Sequence, residues 1–80
     1  MSKQEIFLKL QDIFRKVMKN ENLVIEDEMT AEEIQEWDSL ANQELIMTIE
    51  NEFHIKFSLM EMLDLDSVGN IVSSIENKIV

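Results

Sequence analysis

The chain has 80 residues, no cysteine and a formal net charge of −10. A chain of this length is expected to form one small domain, residues 1–80, with a core too small for a large enclosed active site. The absence of cysteine excludes disulfides and thiolate metal sites, and it fits a reducing compartment such as the cytoplasm.

The charge is distributed unevenly along the chain. Residues 1–20 carry five basic and two acidic side chains, whereas residues 21–66 carry fourteen acids against Lys56 alone. This surface would repel the phosphates of nucleic acid, which is therefore not an expected partner. The acidic segment suits docking to basic patches, although a merely solubilising surface would show the same charge. No apolar run approaches the roughly 20 residues of a membrane span.

The first predicted helix is amphipathic, and residues 20–22 are expected to end it. Its core-facing side chains recur at helical spacing at Ile6, Leu10, Ile13 and Val17. An irregular stretch follows to about Trp37, which is expected to anchor this long loop on the bundle. Within the loop, residues 30–33 have the spacing of a capping box and predict one short helical turn.

Three further helices are predicted beyond the loop. Asp38 can cap the second, which is expected to run to Phe53 or His54, with His54 as a helical surface residue. Residues 58–61 form a capping box that predicts a short third helix. Asp66 or Ser67 can cap the last. No segment alternates as a strand would, so the prediction is an all-α protein, a small four-helix bundle.

Ser39 is the candidate functional residue, because it places a hydroxyl at the start of the second helix. Backbone N–H groups and the helix dipole favour an attached phosphate there. A catalytic serine would need a base, and His54 is the only histidine. Along one helix these two residues lie about 22 Å apart, so no Ser–His pair forms. Ser39 is therefore predicted to be an attachment point, with no catalytic residue in the chain.

The second helix also has two apolar side chains on the face opposite its predicted core face. Leu40 and Met47 lie on one stripe with Glu44 between them, next to the serine. Such a stripe indicates a docking surface, although Met47 packed against the long loop would explain part of the pattern. The acids do not predict a metal site, because Asp64-Leu65-Asp66 lacks the remaining ligands and the glycine of a calcium loop.

The sequence resembles the acyl carrier protein family and the closely similar peptidyl and aryl carrier domains. Asp38-Ser39-Leu40 matches the family's attachment motif, and residues 44–47 follow at the family's spacing. Residues 49–53 resemble its acidic helix ending in phenylalanine, and residues 67–70 resemble the start of its last helix. Ala41 and Gln43 replace residues that are usually acidic and valine in fatty-acid carriers. Trp37 before the motif is more typical of stand-alone carriers in specialised pathways or of the D-alanyl carrier family.

The resemblance implies that Ser39 carries a 4′-phosphopantetheine arm, transferred from coenzyme A by a phosphopantetheinyl transferase. The arm's thiol would hold acyl or aminoacyl groups as thioesters for fatty-acid, polyketide or related biosynthesis. Asp38, Leu40, Glu44 and Met47 would contact acyl-transferring, condensing or adenylating enzymes that have basic docking patches. The carrier would be a cytoplasmic monomer and not an enzyme. A D-alanyl or peptidyl carrier, or an acidic adaptor without a prosthetic group, remains an alternative.

Overall fold

The computed structural model describes residues 1–79, which contain four helices and no extended strand. In chain order they are α1 (Lys3–Val17), α2 (Ser39–Phe53), α3 (Leu59–Met62) and α4 (Val68–Ile79). Two long helices, one of intermediate length and one short helix confirm the predicted all-α bundle. Extended pairing is limited to one isolated antiparallel bridge, between Thr30 and Ser67.

Helix α1 begins at a capping box and ends earlier than the sequence indicates. The Ser2 hydroxyl accepts from the N–H of Glu5, and the Glu5 carboxylate accepts from the N–H of Ser2. At the other end Lys19 has a left-handed backbone with φ of 57°. The N–H of Asn20 bonds the carbonyl of Arg15 in the pattern of a Schellman motif. The helix therefore ends at Val17, three residues before Asn20, the residue whose N–H closes this motif.

Helix α2 is capped by Asp38, as predicted, since its Oδ1 accepts from the N–H of Ala41 at 2.8 Å. It ends at Phe53. The prediction that His54 is a helical residue is wrong, because His54 is the C-cap and has left-handed angles of φ 57° and ψ 48°. Its N–H still bonds the carbonyl of Glu50, so the residue closes the helix without continuing it.

Helix α3 starts at the predicted capping box, in which Ser58 and Glu61 exchange hydrogen bonds. Lys78, near the end of α4, contacts the same Glu61 carboxylate at 2.9 Å. This contact ties the short helix to the far end of the last one. An ion pair at such a partly exposed position contributes little by itself, so its main effect is positional.

The first turn of α4 is held by the long loop. The N–H groups of Val68 and Gly69 donate to the carbonyls of Met29 and Asp27, and the Ser67 hydroxyl accepts from the N–H of Asn70. A Cβ on Gly69 would lie 3.0 Å from the Asp27 oxygen, so glycine permits this close approach. These bonds satisfy N–H groups that a helix start would otherwise leave unpaired.

One hydrophobic core joins the helices and the loop. The predicted face of α1 is buried, and the loop contributes Ile25, Ile34 and Trp37. The other helices contribute Leu45, Ile49 and Phe53 of α2 and Val68, Ile71, Val72 and Ile75 of α4. The loop backbone is also fixed, because the Gln11 side chain accepts from the N–H of Ile25 and Arg15 donates to the carbonyl of Leu23. The long loop is therefore a packed part of the fold. Residues 30–33 form a turn closed by the N–H of Ile34 on the carbonyl of Thr30, and not a regular helix.

Candidate functional site

Ser39 is the first residue of α2 and is exposed. Its position follows from Asp38, the N-cap residue just before the helix. Asp38 has an extended backbone, and its carboxylate accepts a hydrogen bond from the first turn. The hydroxyl thus sits at the helix start, beside the capping group that orients the first turn. This is where the sequence places it.

The backbone around Ser39 leaves two N–H groups available. Asp38 satisfies two later donors, because its side chain accepts from Ala41 and its carbonyl accepts from Asn42. Within residues 1–79, the N–H groups of Ser39 and Leu40 meet no protein acceptor. Free N–H groups and the positive end of the helix dipole favour a phosphate bonded to the serine oxygen. The Asp38 carboxylate opposes this attraction in part, since it is a like charge.

Within residues 1–79, no histidine or carboxylate is hydrogen-bonded to the Ser39 hydroxyl, although Asp66 lies on the surface beside it. His54 lies at the opposite end of α2, one residue past its last turn. The carboxylate nearest in sequence, Asp38, is already occupied as the helix cap. A serine without a base is a poor nucleophile. Ser39 therefore has no hydrogen-bonded partner that would activate its oxygen as a nucleophile.

Trp37, two residues before Ser39, is packed in the hydrophobic core. It is 5% exposed, and its ring meets Phe14 edge to face with centroids 5.1 Å apart. The indole Nε1 donates to Oδ1 of Asn42 at 2.8 Å. The predicted anchor is confirmed, and the bond to Asn42 is a contact that the sequence analysis did not identify. This hydrogen bond joins Trp37, before the serine, to Asn42 in the first turn of α2.

A surface depression opens beside Ser39 on the side of the loop and the α3–α4 junction. Its volume is about 360 Å³. The lining residues are Ala31, Trp37, Asp38, Ser39, Asn42, Leu65 and Asp66. Apolar and polar groups thus meet directly next to the serine hydroxyl. Asp66 and Ala31 are far from Ser39 in sequence, so only the fold reveals that they border it.

The second face of α2 is exposed as predicted. Leu40 and Met47 are 79% and 63% accessible, and Glu44 is exposed between them. Met47 therefore does not pack against the long loop as the alternative interpretation required. These residues border a second depression of about 640 Å³ that also includes Val17, Met18 and Lys19. Lys19 places a basic group among acids, which the charge distribution along the sequence did not reveal.

Other classes of site are not apparent in the structure. Among residues 1–79, no three histidine, aspartate or glutamate side chains gather in a way that could hold a metal ion. No helix in this part of the chain is both long and apolar enough to cross a membrane. The site thus consists of an exposed serine at the start of a helix in a small bundle, an arrangement expected of a carrier domain modified on a hydroxyl.

Comparison with known proteins supports this class and identifies the family. A family model described as "Phosphopantetheine attachment site" matches residues 9–75, so the chain belongs to this family. Among solved structures, the chain is similar to a holo acyl carrier protein from Geobacter metallireducens. The two share 35% identity with a TM-score of 0.85, over 90% of this chain and 83% of the other. No curated protein matches significantly.

The chain is therefore an acyl carrier protein-like domain for 4′-phosphopantetheine attachment, and a carrier, not a catalyst. As such it interacts with a phosphopantetheinyl transferase and with biosynthetic enzymes in general. The start of α2 fits this prosthetic group. It offers an exposed hydroxyl, two free N–H groups for the phosphate and an adjoining depression with both polar and apolar walls.

Proposed function

We propose that the Ser39 oxygen is the attachment point for the 4′-phosphopantetheine arm. One observation carries the proposal: an exposed hydroxyl at the first position of α2, next to two N–H groups without acceptors. Ser39 also lies inside the range that the family model matches. Among the other serines, Ser58 and Ser67 use their hydroxyls to cap α3 and α4.

The chain's own contribution to attachment is positioning. Ser39 supplies the oxygen that bonds to phosphorus while the phosphoanhydride bond of coenzyme A breaks and adenosine 3′,5′-bisphosphate leaves, and the transferase would supply the base that accepts the serine proton. The free N–H groups of Ser39 and Leu40 then stabilise the phosphodiester charge. Asp38 keeps the helix start in place through its bond to Ala41.

The attached arm supplies a terminal thiol that holds acyl or aminoacyl groups as thioesters, chemistry that a chain without cysteine cannot supply itself. The domain then presents these groups to acyl-transferring, condensing or adenylating enzymes of fatty-acid, polyketide or related biosynthesis. Trp37, Ala41 and Gln43 favour a role in a specialised pathway over general fatty-acid synthesis. A D-alanyl carrier and a peptidyl carrier are the alternatives within this class. The common element in all of them is the tether on Ser39.

We propose that partner enzymes dock on the face of α2 named here the docking face, which consists of Asp38, Leu40, Glu44 and Met47. Leu40 and Met47 provide exposed apolar anchors, and the carboxylates of Asp38 and Glu44 flank them. Charge at the edge of an interface mainly steers association, whereas buried apolar anchors contribute most of the affinity. A partner with a basic patch around an apolar pocket fits this combination.

The attachment proposal is tested by intact mass spectrometry. The purified chain is incubated with coenzyme A and a broad-specificity phosphopantetheinyl transferase, and a mass gain of one arm is expected. Ser39→Ala should gain none. Ser58→Ala is the matched control, because it removes a serine from another helix start and should still be modified. Modification of Ser39→Ala, or none of the wild type, refutes the proposal.

The docking proposal is tested with the same transferase. Glu44→Lys and Met47→Ala should raise its KM for the carrier, the first more strongly at low salt because exposed charges are screened. Glu21→Lys is the control, since it makes the same charge change outside the docking face. Equal effects of Glu44→Lys and Glu21→Lys would show that only net charge matters.

We further propose that residues 1–80 act as one carrier domain, monomeric and cytoplasmic. A single core cluster that includes three of the helices and the loop supports the first part. The lack of cysteine suits a reducing compartment. Light scattering coupled to size exclusion measures the oligomeric state, and a dimer mass at micromolar concentration would contradict it.

A further inference from the structure

Another surface depression lies between the first two turns of α1 and the early part of the long loop. Its volume is about 610 Å³. It is lined by Lys3, Gln4 and Phe7 of α1 and by residues 25–28 of the loop, and it is named here the α1–loop groove. It shares no lining residue with the depression beside Ser39 or with the one that borders the docking face. The α1–loop groove is therefore a separate surface of the domain.

The floor of the α1–loop groove is apolar. Ile25 is 2% exposed, and Phe7 is half-buried and packed against the core. Their neighbours in sequence are exposed apolar side chains, since Leu8 is 54% and Val24 is 60% accessible. Apolar groups concentrated on one part of a surface are typical of a site of protein–protein contact.

The charges at the rim of the groove are unequal and unpaired. Glu26, Asp27 and Glu28 are exposed on the loop side, whereas Lys3 on the α1 side is the single basic lining residue. Neither of the two ion pairs within residues 1–79 involves any of these four side chains. Three carboxylates and one ammonium leave a net charge of −2 at the rim, which attracts a basic partner.

Hydrogen bonds hold the walls of the groove in place. Oε1 of Gln11 accepts from the N–H of Ile25 at 3.1 Å, and the carbonyl of Asp27 accepts from the N–H of Gly69 at 2.9 Å. The capping box at Ser2 fixes the start of α1. A partner would therefore meet a surface that is already formed, which lowers the entropic cost of binding.

The groove also lies away from the attachment site. Lys9 pairs with Glu52 near the end of α2, whereas Val17 adjoins Leu40 at its start. Helices α1 and α2 therefore run antiparallel. The first two turns of α1, which form one wall of the groove, lie toward the end of α2 that is farther from Ser39.

We propose that the α1–loop groove binds a partner protein through a segment that carries an apolar side chain flanked by lysine or arginine. The apolar side chain would rest on Phe7 and Ile25, and the basic groups would face Glu26 and Glu28. The apolar contact supplies most of the affinity, while the charges steer the approach. This inference does not depend on attachment at Ser39, so the groove binds its partner in the unloaded and the loaded chain alike.

A second binding surface has a consequence for how a carrier works. Enzymes that act in turn on a group tethered to Ser39 compete for the docking face. A protein that holds the carrier at the α1–loop groove leaves that face free. It also raises the effective concentration of the carrier for any enzyme linked to it. The groove would thus retain the carrier on one protein while others use the docking face.

The test is an NMR titration of isotope-labelled chain with a short synthetic peptide that carries leucines between lysines. We expect amide shifts at residues 3–7 and 25–28, at lower peptide concentration than any shift at Leu40 or Met47. A peptide of the same charge with serine in place of leucine should bind at least about fivefold more weakly, because it lacks the apolar contact. Shifts confined to the docking face, equal binding of the two peptides, or no binding at millimolar peptide would overturn the inference.

A pair of double variants separates the groove from the overall charge. Glu26→Lys with Glu28→Lys should weaken peptide binding at least about fivefold relative to Glu21→Lys with Glu32→Lys. The second pair makes the same charge change at exposed acids outside the groove. Circular dichroism verifies that both fold. Equal weakening in both would show that net charge alone attracts the peptide, and it would overturn the inference.

Loading with the arm distinguishes this site from the docking face. The transferase KM should be equal in the two double variants, because neither changes a residue of that face. A higher KM in the groove variant alone would make the groove part of the same interface and overturn its separate role. Absence of any mass gain in the wild type would instead refute attachment at Ser39, whereas the peptide titration does not depend on loading.

Discussion

The left-handed backbone at Lys19 makes one stability prediction directly calculable. A non-glycine residue in this conformation costs about 1–2 kcal/mol. Glycine removes that cost but adds about 0.5–1 kcal/mol of unfolded-state entropy. Lys19→Gly should therefore raise the free energy of unfolding by about 0.5–1 kcal/mol. For a domain of this size the melting temperature should rise by about 2–8 °C.

Lys16→Gly provides a control for this prediction. Lys16 is exposed and lies within α1, three residues before Lys19, and its replacement removes the same charge. Glycine in a helix costs up to about 1 kcal/mol relative to a good helix former, so this variant should be less stable than wild type. The two Lys→Gly substitutions are thus expected to have opposite signs.

Thermal and urea unfolding followed by far-UV circular dichroism measure both variants. His54, the other residue with positive φ, provides an independent test. His54→Gly should also stabilise, and its effect should add to that of Lys19→Gly because the two caps share no hydrogen-bond partner. The reasoning is refuted if Lys19→Gly destabilises as much as Lys16→Gly does.

Three further predictions concern packing, pH and salt. Trp37→Phe leaves Asn42 without its indole donor and should lower unfolding stability by about 1–3 kcal/mol in urea titrations; an unchanged midpoint would contradict it. The hydrogen bond from Lys78 is the largest cause that lowers the pKa of Glu61 below 4.5. The stabilisation from ionised Glu61 is therefore present above the pKa that this carboxyl has in the unfolded chain. It is lost as the pH falls through the lower pKa of the folded state. Glu61→Gln should show a smaller loss of melting temperature on acidification, and an equal loss would refute this. Added salt or Mg²⁺ should raise the melting temperature by screening the acids of residues 21–66, so a curve insensitive to ionic strength would count against it.

Local signals predicted the helices and most of their starts. Asp38 and the Ser58–Glu61 capping box act within a few residues of themselves, so their roles are readable from spacing. Helix ends were less predictable. Lys19 and His54 adopt the left-handed conformation that glycine or asparagine usually occupies, and nothing in their residue type indicates a stop. Both ends are closed by backbone hydrogen bonds back into the helix, which the left-handed residue makes possible.

The position of Ser39 at a helix start was predictable for the same local reason, since a cap followed by a hydroxyl and a helical run is a short-range pattern. Its surroundings were not predictable. Asp66 and Ala31 border Ser39 only because the loop carbonyls of Asp27 and Met29 hold the first turn of α4. Lys19 adjoins Leu40 and Glu44 because the end of α1 lies beside the start of α2. Such contacts depend on chain reversals that no spacing rule encodes.

The sequence by itself determined the all-α class, the position of Ser39 at a helix start and the absence of a partner base along the same helix. Each depends on short-range spacing, where neighbours along the chain decide the geometry. The tertiary structure alone decided what adjoins the serine: the depression bordered by Ala31 and Asp66, and the second depression in which Lys19 lies beside Leu40 and Glu44. The physical reason is that both surfaces form only when separate helices and the long loop bury a shared core.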